Sequence, residues 1–210
     1  YNLAVINWFN EEGSRFAPSM MGSSVFTGVL ALSDAQSVTD LAGVTVAQAQ
    51  EEAGWAPREE APTLAAYAEI HVEQGKELEA AGNTIGLVTA TWGARKFQAV
   101  VSGEQGHTGS TLMADRRDAL FGASLIISAV QRLTREFPEG KLQASVSQLT
   151  LEPNSPVTIA REVRFNVDLR SPSSEVLSQA QEKLRELITA AEEESRTSVA
   201  LDLTHEWALN

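Results

Sequence analysis

Apolar residues in the first ninety positions come in short continuous runs that are separated by turns and polar patches. Residues 3–9 are apolar and rich in strand-forming types, and they lead directly into the sequence NEEG. This pattern predicts a buried strand that ends at Glu11 and Glu12. Residues 65–75 and 85–92 predict two further strands.

Two short helices are predicted among these strands. Residues 45–54 have Thr45 as N-cap and Gly54 as a glycine stop. Residues 76–82 read KELEAAG and predict a helix of one to two turns. The first part of the chain is therefore expected to mix strands with short helices.

The second part of the chain has a different order of periodicities, and we place a domain boundary near Trp92 and Gly93. The chain is thus divided into residues 1–92 and residues 93–210. The pattern of the second unit is β-α-β-β-α-β, which is the ferredoxin-like arrangement. Its predicted elements are a strand over 96–102, a helix over 115–136, strands over 141–151 and 161–170, a helix that Ser171 and Pro172 open, and a strand over 198–207.

Apolar positions also predict which faces of these elements are buried. The strand over 161–170 alternates between apolar and polar residues, so one face packs on the helices and the other is polar. Arg170 ends the polar face, where its guanidinium could fork onto a carboxylate. The predicted inward positions are Leu120, Ala123, Ile127 and Val130 in the first helix and Val163, Phe165, Val167 and Leu169 in the strand.

Composition narrows the function classes. The net charge of −12 argues against a nucleic-acid or anionic-membrane partner, because nothing would offset phosphate repulsion. The absence of cysteine removes thiolate nucleophiles and cysteine-bound zinc, and it fits a cytoplasmic location. No apolar run is long enough to span a bilayer. The chain begins without an initiator methionine or a basic leader, so we expect a piece of a longer protein.

Adjacent glutamates at a strand end allow two chemical roles. One carboxylate can bind a divalent metal while the other takes a proton from an attacking water. The alternative is a solvated acidic turn, which is common in so acidic a chain. The local pattern alone favours the solvated turn.

The three histidines carry different amounts of information. His71 lies between apolar neighbours, and taken alone it is better explained by a hydrogen-bonded core residue than by a metal ligand. His107 lies in GEQGHTGST, where glycines allow the backbone to approach a ligand closely. A glycine-rich turn with an exposed histidine explains that pattern equally well. His205 is assigned no role.

Four motifs in order give a more specific signal. They are NWFNEEGSRF, EIHVEQG, GEQGHTGSTLMADRRDAL and VRFNVDLRS. Together they resemble the N-carbamoyl-L-amino-acid hydrolase and allantoate amidohydrolase group of the M20 metallopeptidase superfamily. The resemblance implies an α/β fold, with part of a two-metal catalytic domain in residues 1–92 and a ferredoxin-like lid or dimerisation domain in residues 93–210.

The resemblance also implies roles for individual residues. Glu11 corresponds to the general base, and Glu12 and His71 correspond to metal ligands. The remaining correspondences are Gln74 near the substrate, His107 as the lid histidine that polarises the scissile carbonyl, and Arg170 as the partner of the substrate carboxylate.

The implied reaction is hydrolysis of an N-carbamoyl (ureido) group by a metal-dependent homodimer. Two divalent ions per complete site are expected, drawn from zinc, manganese, cobalt and nickel. Two-metal relatives use a histidine and a bridging aspartate before the glutamate strand and a histidine after the lid, and this chain carries neither region. The family sequence NVIPG reads VTIAR here, which places Val157 at the substrate-binding asparagine.

Two other functions fit the same motifs. A truncated or degenerate relative would act as a non-catalytic dimerisation module. A peptidase or deacylase of the wider superfamily would cleave N-acyl rather than N-carbamoyl amino acids.

Overall fold

The structure is a computed structural model that describes residues 2–55 and 62–210. The chain forms two compact units, Tyr1–Lys76 and Glu77–Asn210. Residues 77–92 therefore group with the second unit, and the second unit's first strand begins at Gly93. No helix in the described part of the chain is long and apolar enough to cross a membrane.

The described residues of the first unit include three short helices: α1 (Met21–Phe26), α2 (Leu32–Ser37) and α3 (Val46–Glu52). Helix α3 confirms the predicted helix over 45–54. The Thr45 hydroxyl accepts the backbone N–H of Gln48, and the Gln48 side chain accepts the Thr45 N–H, which forms a capping box. The buried core of the unit is small and consists of Phe16, Met21, Ala35 and Val46.

The three strands predicted over 3–9, 65–75 and 85–92 are wrong, because none of these segments is a strand in the structure. Val5, Ile70 and Leu87 are almost fully exposed. An apolar run forms a strand only where another segment offers backbone hydrogen bonds. Among the described residues, every named strand lies between residues 93 and 207.

The second unit confirms the β-α-β-β-α-β pattern. Its four long strands form one antiparallel sheet in the order β3-β5-β1-β6. A two-residue ladder, β2 with β4, lies outside this sheet. The elements are α4 (Glu77–Ala81), β1 (Gly93–Ser102), β2 (Gly106–His107), α5 (Ala119–Leu133), β3 (Gln143–Glu152), β4 (Thr158–Ile159), β5 (Glu162–Ser171), α6 (Ser174–Ser195) and β6 (Ser198–Trp207).

Helices α5 and α6 pack on the apolar face of the sheet. The predicted alternation of β5 is confirmed, since all four of its apolar residues are buried in this core. The predicted face of α5 is only partly right, because Leu120 is exposed and Ala119 is buried in its place. A Cβ atom on Gly122 would lie 2.8 Å from Thr197 Oγ1, so α5 turns its small residues toward this close contact.

The start of α6 differs from the prediction by two residues. Its N-cap is Ser173, whose hydroxyl accepts the backbone N–H of Val176. Ser171 instead ends β5, where its hydroxyl donates to the carbonyl of Lys141 and accepts the N–H of Ser173. Ser171, which was predicted to cap the helix, is therefore the last residue of the strand.

Candidate active site

Glu11, Glu12 and His71 come together in the first unit, although sixty residues separate the glutamates from the histidine. One ligand atom from each residue lies within 4.8 Å of the others. Glu11 is half-buried, and Glu12 and His71 are exposed. The predicted pairing of the glutamate motif with the histidine motif is therefore present in the fold.

Backbone hydrogen bonds hold the loop that carries the glutamates. The N–H of Met20 donates to the carbonyl of Glu11 over 2.7 Å. The Asn10 side chain donates to the carbonyls of Phe16 and Pro18 over 2.8 and 2.9 Å. Gly13 has a φ of +72°, and a Cβ there would lie 2.8 Å from the backbone of Ser19. Glycine after the two glutamates is thus required for the loop to fold back so closely.

A second connection ties this loop to the segment before α3. Arg15 donates through Nε to the Asp40 carboxylate over 2.9 Å. The N–H of Val44 and Arg15 together hold the pKa of Asp40 below its usual value, with the Val44 bond the larger cause. The loop that follows Glu12 is therefore anchored at its far side by a charged hydrogen bond.

The ring of His71 is oriented by the backbone of the next residue. Its Nδ1 lies 2.6 Å from the carbonyl oxygen of Val72. A carbonyl can only accept, so Nδ1 carries the proton. In the neutral imidazole the lone pair is then on Nε2, which is the state that a metal ligand requires.

Gln74 contacts the same cluster. Its side-chain Nε2 donates to Glu12 Oε1 over 2.8 Å. Gln74 has a φ of +54°, a conformation that non-glycine residues seldom adopt. The backbone here is held in an uncommon conformation that places an amide against a carboxylate.

This donor set suits a divalent transition metal. Two carboxylates and one imidazole supply oxygen and nitrogen ligands. The amide of Gln74 donates a hydrogen bond to Oε1 of one of these carboxylates, that of Glu12. Hydrogen bonds of this kind orient a ligand for its metal. The chemistry of the cluster is therefore consistent with the expected cofactor.

His107 belongs to the second unit, on the two-residue strand β2. It pairs with Thr158 of β4, and the N–H of Thr108 donates to the carbonyl of Val157 over 3.1 Å. Its Nδ1 accepts the N–H groups of Gly109 and Ser110, over 3.0 and 3.2 Å. A nitrogen that accepts cannot carry the proton, so neutral His107 exposes Nε2–H as a donor.

Arg170 is the last residue but one of β5, close to the strand end where it was predicted. Its Nε and Nη2 donate to Asp168 Oδ2 over 3.1 and 2.9 Å. Lys96 Nζ lies 3.8 Å from the same carboxylate. About half of the Arg170 side chain is exposed, so a guanidinium paired with Asp168 reaches the surface near the end of this central strand.

His205 also lies on the sheet of the second unit, opposite Lys96 in the ladder. It is half-buried. Burial lowers its pKa below the usual 6.5, and the charge of Lys96 lowers the pKa further.

Sequence reasoning missed one group of residues beside Glu11. Trp8 Nε1 donates to the Tyr67 hydroxyl over 2.9 Å, and that hydroxyl donates to Glu69 Oε2 over 2.8 Å. The signal was present, because Trp8 lies three positions before Glu11 and Tyr67 lies four positions before His71. Aromatic residues so near two motifs could have been identified as part of one site.

Comparison with known proteins finds curated relatives of this chain. The chain is 39% identical over 172 residues to an N-carbamoyl-L-amino-acid amidohydrolase of Rhizobium meliloti, which covers 81% of the chain and 41% of the relative. It is 34% identical over 190 residues to an allantoate amidohydrolase of Bacillus subtilis, which covers 89% of the chain and 46% of the relative. No family model matches the chain.

The fold has a close counterpart among solved structures. An amidase of the hydantoinase/carbamoylase family from Burkholderia vietnamiensis superposes with a TM-score of 0.88 at 36% identity, and the match covers 97% of this chain and 49% of the amidase. The chain spans about half the length of the curated relatives it matches. Over nearly its whole length, this chain therefore belongs to the family of N-carbamoyl-L-amino-acid and allantoate amidohydrolases.

Proposed function

We propose that the complete gene product is a metal-dependent amidohydrolase that cleaves the carbamoyl C–N bond of an N-carbamoyl-L-amino acid or a related ureido acid. The observation that carries the proposal is the meeting of Glu11, Glu12 and His71 within 4.8 Å. The names of the relatives support the choice of substrate class.

In this proposal Glu12 and His71 hold a divalent transition metal, such as zinc, manganese, cobalt or nickel, and a complete site holds two ions. Such an ion, when bound, polarises a carbonyl as a Lewis acid and makes water a better nucleophile at neutral pH. Gln74 keeps the Glu12 carboxylate oriented through its hydrogen bond. We assign Gln74 to this task in addition to its expected place near the substrate.

Glu11 acts as the general base. It takes a proton from the attacking water while the water oxygen forms a bond to the carbamoyl carbon. The proton then passes to the amino-acid nitrogen, the C–N bond breaks, and the amino acid leaves with carbamic acid. Carbamic acid decomposes to ammonia and carbon dioxide, so one water and one ureido acid give one amino acid, one ammonia and one carbon dioxide.

Two residues of the second unit bind the substrate in this proposal. His107 donates its Nε2–H to the carbonyl oxygen, on which negative charge develops as the water adds. Arg170 pairs with the substrate carboxylate through its guanidinium. We further propose that residues 93–210 form the lid and dimerisation domain of a cytoplasmic homodimer.

The test is Glu11→Gln in the complete gene product, loaded with zinc or manganese and assayed on N-carbamoyl-L-amino acids. We expect kcat to fall by about 10²- to 10⁴-fold, the usual contribution of a general base. Glu51→Gln, the same change at an exposed position of α3, serves as the matched control. An unchanged kcat for Glu11→Gln, with metal content equal to that of wild type, overturns the assignment of the base.

The same assay separates this function from its alternatives. Turnover of N-acyl amino acids with no release of ammonia from N-carbamoyl substrates would identify a deacylase or peptidase. No turnover of either class by the metal-loaded protein would favour the non-catalytic dimerisation module.

A further inference from the structure

A cleft of about 340 Å³ lies beside Glu11 within the first unit. Its size is near the lower end of the range for small-molecule sites, about 300 to 1,000 Å³. We call it the aromatic cleft, and its lining residues include Trp8, Glu11, Met20, Ser23, Phe26 and Tyr67.

The walls of the aromatic cleft are formed by ring surfaces. Trp8 and Phe26 meet edge to face, with ring centroids 5.4 Å apart, and Trp8 and Tyr67 have centroids 6.4 Å apart. Such pairs fix the ring positions relative to one another. The cleft is therefore a shaped surface, and its shape depends on rigid side chains.

The polar atoms of these rings are satisfied by one another. Trp8 Nε1 donates to the Tyr67 hydroxyl, which donates to Glu69. These two donors are thus already used, and the rings present mainly their apolar surfaces to a ligand. Burial of an apolar group against them is favourable, at about 25 cal/mol for each Å² removed from water.

We propose that the aromatic cleft receives the side chain of the substrate's amino acid and selects large apolar side chains over small or acidic ones. The inference rests on the proposed function, because it places the scissile carbamoyl group at Glu11. The side chain is bonded to the same carbon as the scissile nitrogen, so it lies within a few bonds of the carbamoyl carbon and within reach of the cleft beside Glu11. Glu11 and Glu69 both line the cleft and disfavour an anionic side chain.

The test is a substitution that fills the aromatic cleft with a larger side chain. Ser23 lines it from α1, so Ser23→Phe adds an aromatic ring to the space that the substrate side chain would occupy. Ser33→Phe adds the same ring at an exposed position of α2 that does not line the cleft, and it is the matched control. The complete, metal-loaded gene product is assayed on N-carbamoyl-L-phenylalanine, N-carbamoyl-L-glutamate and N-carbamoylglycine.

For wild type we expect kcat/KM for the phenylalanine substrate to exceed that for glycine by at least about tenfold, the usual discrimination of an apolar pocket. The glutamate substrate should be the poorest. In Ser23→Phe the phenylalanine-to-glycine ratio should fall by at least tenfold, chiefly through a higher KM for the phenylalanine substrate. Ser33→Phe should keep the wild-type ratio.

Binding without turnover provides the second measurement. The affinity of wild type and Ser23→Phe for L-phenylalanine and L-glutamate is measured by calorimetry. We expect wild type to bind L-phenylalanine more tightly than L-glutamate, and Ser23→Phe to lose that difference. Retention of the difference in Ser23→Phe, or its absence in wild type, overturns the role of the cleft.

The two measurements separate the two proposals. If no N-carbamoyl substrate is hydrolysed, the proposed function fails, and the calorimetric difference alone decides whether the cleft binds an apolar amino acid. If hydrolysis occurs and Ser23→Phe changes kcat/KM equally for all three substrates, the proposed function stands and the role of the cleft is overturned.

Discussion

The side-chain amide of Gln74 donates a hydrogen bond of 2.8 Å to the carboxylate of Glu12, across 62 positions of the chain. This contact joins the motif that carries the glutamates to the motif that carries His71. It also fixes which way one Glu12 oxygen points, although Glu12 itself is exposed. A metal that binds at this cluster meets a carboxylate that is already oriented.

Shortening Gln74 should therefore weaken metal binding. Gln74→Asn keeps the amide and tolerates the positive φ, but it is one methylene too short to reach Glu12. We expect the metal dissociation constant to rise by about 10- to 100-fold, as for other hydrogen-bond partners of metal ligands. Competition against a chelator of known affinity measures it.

Gln131→Asn makes the same change at an exposed position of α5 and should leave metal affinity unchanged. An equal affinity in Gln74→Asn and wild type would show that Glu12 needs no such partner.

The two site histidines should be found in opposite neutral tautomers. The carbonyl of Val72 requires the proton of His71 on Nδ1, and the N–H groups of Gly109 and Ser110 require that of His107 on Nε2. Long-range ¹H–¹⁵N correlation spectra of the metal-free protein distinguish the two forms by their nitrogen shifts. His107 with its proton on Nδ1 would contradict its assignment as a donor to the substrate carbonyl.

Replacing Arg170 with lysine should impair substrate binding more than chemistry. A lysine offers one compact charge and cannot fork between Asp168 and a substrate carboxylate as a guanidinium can. We expect KM for N-carbamoyl-L-amino acids to rise at least about tenfold, with a much smaller change in kcat.

Strand β5 provides the matched control for this change. Arg164 pairs with Glu162 two residues before it, as Arg170 pairs with Asp168. Arg164→Lys should therefore cost the same kind of ion pair and leave KM near its wild-type value. Equal KM values for the two variants would remove Arg170 from the binding site.

His205 should make the protein less stable as the solution becomes acidic. Its folded-state pKa lies below the usual 6.5, because burial and the charge of Lys96 disfavour the protonated ring. The unfolded chain then binds the proton more readily, so the free energy of unfolding falls as the pH drops from about 7 through 6.5 toward the folded-state pKa.

Denaturant unfolding of wild type and His205→Gln between pH 5 and pH 8 measures this effect. In that window the free energy of unfolding of His205→Gln should depend less on pH than that of wild type, because the variant has no imidazole to protonate. Lys96→Met should reduce the wild-type slope without abolishing it, because burial is the larger cause. Parallel curves for wild type and His205→Gln would contradict the prediction.

The second unit could be predicted from sequence because each of its strands has its partners within residues 93–207. The alternation of β5 and the order of elements both agree with the structure, since pattern and pairing come from the same stretch of chain. Residues 3–9 carry an equally clear apolar run and form no strand, because a run alone does not supply a neighbour.

At the site, the motifs identified which residues could do chemistry, and the fold decided how they are arranged. Glu11, Glu12 and His71 were predicted together and are found together. The bond from Gln74 to Glu12 and the pairing of Trp8 with Tyr67 depend on contacts between distant segments. The closeness of Trp8 and Tyr67 to the two motifs could be read from the sequence, but no local periodicity encodes which side chains bond to each other, so the bonds themselves are seen only in the tertiary structure.

Because β2 pairs with β4, the orientation of the His107 ring depends on a segment about fifty residues later in the chain. His107 pairs with Thr158, and the next residue, Thr108, donates its N–H to the carbonyl of Val157. An insertion or deletion in that stretch would therefore shift the imidazole while the histidine motif stayed intact. Relatives that share this motif can therefore differ in rate or substrate preference through changes in a remote segment. A preserved histidine in an aligned relative is by that reasoning evidence of ancestry before it is evidence of a working enzyme.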